Sequence, residues 1–187
     1  MSTPPMEITG AELKRLNFYR ASELHGGLLL GRLAQRVRDP ELVLNLTRHG
    51  AEEIVHAQAW TETILAVGGR PRPTRDTYQA RYARALGPIV ALFDVLALTQ
   101  VFERRVSRHF VEHARRPDTH PVVRQTLLRL VDEEKSHLSW VKRWLDDEEA
   151  RGRDVEAAMA RFRDVDAQVY HALATEYEYA APLAVAV

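Results

Sequence analysis

Six residues in this chain have the types and spacing to bind metal ions: Glu23, Glu53, His56, Glu103, Glu134 and His137. Glu53 and His56, like Glu134 and His137, stand three apart, so each pair shares one face of a helix. A lone glutamate precedes each pair at almost the same distance, 30 residues from Glu23 to Glu53 and 31 from Glu103 to Glu134. The spacing therefore repeats one pattern, a carboxylate followed by Glu-x-x-His, in two successive helical hairpins.

The apolar stripes of the helices place these groups inside. Steps of three and four give Leu16, Tyr19, Glu23, Gly26/Gly27, Leu30 and Leu33 in the first helix. The second gives Leu42, Leu46, His49, Glu53, His56, Trp60 and Ile64. The third gives Phe93, Leu96, Gln100, Glu103, Val106 and Phe110, and the fourth Val123, Leu127, Leu130, Glu134, His137 and Val141. Each stripe is interrupted near its middle by a carboxylate, and almost no Arg or Lys faces that level. An unpaired buried charge costs several kcal/mol, and clustered like charges cost more. Two divalent cations would neutralise four carboxylates, with two neutral imidazoles completing the ligand shell. Oxygen and nitrogen donors of this kind suit iron or manganese, with zinc as another occupant.

Residues near this set have secondary roles. His49, one turn before Glu53, and Tyr19, one turn before Glu23, are positioned to hydrogen-bond a ligand, and Gln100 lies one turn before Glu103; packing is the alternative for each. Gly26, Gly27 and Leu30 leave volume beside Glu23, read either as a pocket for substrate or O2 or as close helix contact.

Long helical stretches separated by Pro and Gly must hold these groups in place. Helices are expected over about 6–38, from Pro40 to Gly68, from near Pro88 to Arg116, from Pro121 to about Arg151, and from about 153 to 180. No stretch alternates apolar and polar residues for long, so strands are not expected. The connection over 69–87 is long and arginine-rich; a crossover of that length lets the second and third helices run parallel. Tyr78 and Tyr82 either pin it to the helices or merely cover them. The fold class expected is all-α: a single domain over 1–187, with a four-helix bundle over about 6–150 and a fifth helix after it.

Bulk composition narrows the chemistry further. The chain has 187 residues, 26 basic and 26 acidic, and a formal net charge of zero, giving no electrostatic reason to expect nucleic acid or a membrane surface as partner. It has no cysteine, which excludes disulfides, iron–sulfur clusters and thiolate ligands. The N-terminal residues do not read as a signal peptide, so the expected location is the cytoplasm.

With that pattern, over roughly Leu13 to Leu145, the chain resembles the ferritin-like superfamily of rubrerythrins, bacterioferritins and di-iron oxygenases. The resemblance implies a ferritin-like bundle with two iron ions, Glu23 and Glu103 as terminal ligands, and Glu53 and Glu134 as bridges. It also implies activation of O2 or peroxide, an unknown small substrate and an external electron donor, in a chain expected to form a homodimer. Val106 stands where rubrerythrins carry a further Glu, and Ile54 where haem-binding bacterioferritins carry Met. The symmetric set is closest to bacterioferritin and the bundle oxygenases. Two alternatives stay open: a ferroxidase of iron storage or detoxification, and a metal-free helical interaction protein.

Overall fold

A computed structural model of the chain describes residues 7–89 and 91–177. Among the described residues are six helices: α1 (Gly10–Ala34), α2 (Pro40–Ala66), α3 (Tyr78–Leu86), α4 (Leu92–Arg115), α5 (Pro121–Ala150) and α6 (Val155–Glu176). There is no strand among the described residues, and no helix is long and apolar enough to cross a membrane.

The helix starts follow from local chemistry. Thr9, Asp39, Thr77 and Asp154 accept backbone N–H bonds from the first turns of α1, α2, α3 and α6, satisfying donors that have no partner within the helix. Pro40 and Pro121 open α2 and α5, where a missing N–H is harmless. Gly68, just past α2, has φ 77°, a left-handed stop that other residues adopt with strain. The first helix is shorter than its apolar pattern suggests, because Thr9 caps it late and Gln35 closes it early. Position 6 and positions 178–180 of the expected terminal helices lie outside the described residues.

The connection expected over 69–87 is not a plain loop, since its second half forms α3. Tyr78 and Tyr82, one turn apart, are both buried, and their arginine neighbours project outward, so this short helix is amphipathic. The two tyrosines pin it. Tyr78 packs edge-on against Phe18 at 4.7 Å, and the Tyr82 hydroxyl donates to Asp166 of α6.

The long helices pack antiparallel. On α1 and α2, Gly27 faces Gly50 while Leu13 reaches Gly69. Between α2 and α5, Thr63 bonds Thr126 at 2.6 Å, and His49 accepts from Trp140 at 3.3 Å. Between α1 and α4, Glu12 meets His113 and Tyr19 meets His109. Two apolar clusters result, one around Leu16, Trp60, Phe110 and Leu127, the other around Leu46, Leu96 and Val141. Glu23, Glu53, Glu103 and Glu134 lie in the polar layer between them.

Candidate metal centre

That layer collects one glutamate from each of α1, α2, α4 and α5. Glu23, Glu53, Glu103 and Glu134 are 8, 6, 5 and 3% exposed, so solvent does little to screen them. Their donor atoms fall into two groups, each within 4.8 Å: Glu23, Glu53, His56 and Glu134 in one, and His49, Glu53, Glu103 and His137 in the other. All six residues singled out by spacing are therefore brought together, with Glu53 common to both groups. Among the described residues, no Arg or Lys pairs with any of the four glutamates.

The carboxyls and imidazoles of the layer shift one another's protonation. Burial, then the charges of Glu53 and Glu134, push Glu23 well above the usual carboxylate range. Burial raises Glu103 too, although His49 pulls against it. Burial would also raise Glu53, but hydrogen bonds with His137 and His49 overcome it and hold this carboxyl low. His137 moves the other way: burial disfavours its charge, yet Glu134 and Glu53 beside it push it up to about 12.

The two histidines share one orientation. His137 Nδ1 lies 3.0 Å from Glu134 and 3.3 Å from Glu53, and His56 Nδ1 lies 3.2 Å from Glu134. Each ring turns its Nε2 outward to a further carboxylate, His137 to Glu52 at 2.8 Å and His56 to Glu133 at 3.2 Å. A carboxylate on Nε2–H would fix the neutral tautomer once a metal displaced the Nδ1 proton, turning the Nδ1 lone pair into the cluster. The spacing analysis overlooks Glu52 and Glu133. Their signal was a Glu-Glu-x-x-His run present twice, at 52–56 and 133–137.

Donor atoms in this layer lack partners of their own. His56 Nδ1 and Glu103 Oε2 are buried with no hydrogen-bond partner, an expensive arrangement in a closed core. A cation in each of the two groups would satisfy one of these atoms, so the residues fit a dinuclear metal group.

The neighbouring residues divide. His49 lies inside the cluster, its Nε2 3.0 Å from Glu103 and its ring stacked on His137 at 3.7 Å. Its Nδ1 accepts from the Trp140 indole, and an indole N–H only donates. While that bond holds, the ring is neutral with its proton on Nε2, on the side of Glu103 and Glu53, although these two carboxylates push its pKa up to about 9. Tyr19 turns away from the carboxylates: its hydroxyl is 2.6 Å from His109 and 3.3 Å from His113. Gln100 is buried, and its amide meets the Leu138 carbonyl at 3.2 Å and Arg104 at 3.1 Å rather than a candidate ligand. The expected pocket residues separate as well. Gly26 and Leu30 line a cavity beside Glu53, whereas Gly27 makes helix contact, since a Cβ there would lie 2.7 Å from the Gly50 carbonyl oxygen.

Comparison with protein-family models, with curated proteins and with solved structures returns no match. The functional reading therefore rests on the geometry of this chain.

Proposed function

We propose that the chain is a ferritin-like dinuclear metal protein, with two iron ions held by Glu23, Glu53, His56, Glu103, Glu134 and His137, and that it is an oxidoreductase acting with O2 or peroxide. The observation that carries this is the closed layer of four glutamates without Arg or Lys, faced by two imidazoles whose Nδ1 atoms point inward. Structural ion pairs bring their own cations, whereas these carboxylates face only histidines. Two divalent ions balance four carboxylates in charge. The antiparallel pairings leave α2 and α4 running the same way, which favours the ferritin-like connectivity.

Each part of the chain has a role in this reading. Glu53, common to both groups, and Glu134, which also reaches both histidines, would hold the ions at the centre of the layer. Glu23 and Glu103 approach from opposite hairpins as terminal ligands. Glu52 and Glu133 hold the imidazoles from behind, and His49 restrains Glu103. Apolar clusters flank the layer on either side. Iron, when bound, supplies the redox step; the protein supplies position, charge balance and a dry surrounding. Without a cysteine cluster, reducing electrons come from a separate donor.

Anaerobic Fe(II) titration of the metal-free protein tests the proposal. Saturation at about two irons per chain, lost in Glu53→Ala and Glu134→Ala, is the expected result. Uptake continuing far beyond two would make the chain a storage protein. No binding, with the fold intact, would overturn the metal reading.

A further inference from the structure

A cavity of about 240 Å3 opens beside the candidate metal centre, between α1, α3 and α4. Its inner end is bounded by His49, Glu53 and Glu103, members of the carboxylate layer. Away from that end the walls are apolar: Leu30 from α1, Val95, Leu98 and Phe102 from α4, and Tyr82 and Ala83 from α3. No Arg or Lys lines it, so no fixed cation in the walls would compensate an anionic ligand, whose desolvation would be heavily penalised. A dry apolar cavity of about 150 Å3 accommodates benzene, so this one has room for two fused rings.

Polar lining groups away from the carboxylates include His25, whose Nδ1 already bonds Thr77 at 2.8 Å, Thr99 and Gln79. The Gln79 amide Nε2 donates to the Ser22 carbonyl at 3.1 Å. A carbonyl only accepts, which fixes the orientation of the amide. The opposite atom, Gln79 Oε1, is buried and has no hydrogen-bond partner. It needs a donor. A Cβ on Gly26 would lie 2.9 Å from Glu53 Oε2 and 3.3 Å from Gln79 Nε2, so the glutamine amide and the candidate bridging carboxylate border the same small space.

We propose that this cavity is the substrate pocket of the centre and that it takes an uncharged one- or two-ring molecule with a single hydroxyl donor, a phenol-type compound. As a substrate assignment this rests on the metal reading above, while the binding itself does not require metal. Size follows from the cavity, absence of negative charge from its walls, and the hydroxyl from Gln79.

The test is fluorescence titration of the full-length chain with 2-naphthol and with naphthalene, first metal-free and then zinc-loaded. Saturable binding is expected in both states, with naphthol about five- to tenfold tighter than naphthalene, the value of one hydrogen bond. Gln79→Leu should erase that preference without weakening naphthalene. Ala83→Trp, at an exposed position on the α3 wall, should weaken both ligands at least tenfold with an unchanged circular dichroism spectrum. Ala80→Phe on the same wall serves if that variant does not fold. Absence of saturable binding, equal affinity for the two ligands in the wild type, or binding indifferent to both wall substitutions would overturn the proposal. Naphthol binding by a chain that takes up no iron would refute the metal centre and leave the pocket; iron uptake without naphthol binding would do the reverse.

Discussion

Glu52 on α2 reaches across to His137 on α5, accepting from its Nε2 at 2.8 Å, and Glu133 on α5 returns the contact to His56 on α2 at 3.2 Å. Each outer carboxylate thus orients the histidine of the opposite helix, tying the two Glu-x-x-His pairs into one unit. Glu52 and Glu133 are 42 and 44% exposed, so removing their charge should leave the fold intact. Glu52→Gln or Glu133→Gln should weaken metal binding about 10- to 100-fold, read by Co(II) or Fe(II) titration. Unchanged affinity in both variants would deny the outer carboxylates any role at the site.

Gly26 and Gly27 are adjacent but answer to different neighbours. A Cβ on Gly27 would come within 2.7 Å of the Gly50 backbone oxygen and 2.8 Å of Ile54, so Gly27→Ala must push α1 from α2 and should cost about 1–3 kcal/mol. A Cβ on Gly26 meets only the ends of the Glu53 and Gln79 side chains, which can swing aside. Gly26→Ala should therefore keep its stability in urea melts while weakening metal uptake. The opposite ranking would mean that the cavity and helix-contact roles of the two glycines are reversed.

Arg105 and Asp166 form a buried pair at 2.8 Å between α4 and α6, joined by the Tyr82 hydroxyl of α3. Both residues are about 6% exposed. Asp166→Ala leaves the guanidinium buried without its partner and should destabilise by about 3–5 kcal/mol. The exposed Arg161–Asp94 pair joins the same two helices, yet Arg161→Ala should change stability by at most ~1 kcal/mol. Equal effects in equilibrium denaturation would contradict burial as the deciding factor.

His109 links pH to stability. Burial, reinforced by the Arg105 and His113 charges, pushes this imidazole well below its ordinary value, so it stays neutral between Tyr19 and Tyr170. In the unfolded chain it takes up a proton near pH ~6.5. Its contribution is complete above that pH and is lost as pH falls, by up to about 1.4 kcal/mol per unit. The stability gap between wild type and His109→Gln should therefore narrow from about pH 7 to about pH 5, in urea melts at a fixed metal state. A constant gap would show that His109 accepts its proton in the folded protein.

Much of this architecture is written locally. The Pro and Gly breaks, Asp39-Pro40 and His120-Pro121 among them, place the long helices because caps and missing N–H groups act within one turn. The apolar stripes predict which faces are buried, since hydrophobic burial follows helical period. Glu23, Glu53, Glu103 and Glu134 stand out because a carboxylate in such a stripe is costly wherever the helix packs. Contacts between helices needed the tertiary structure. Tyr19 has the same register as Glu23 one turn later, yet it turns to His109, a choice set by how α1 and α4 are staggered. Gly26 faces the cavity and Gly27 the neighbouring backbone because adjacent helical positions point about 100° apart, and only the packing of α1 on α2 decides which is which. The segment containing α3 is too short and too rich in arginine to declare itself a helix, and it folds where Phe18 and Asp166 receive Tyr78 and Tyr82. Glu52 and Glu133 looked like ordinary surface charges beside the buried pairs. Their role emerges from the crossing of α2 and α5, which sets each beside the other helix's histidine.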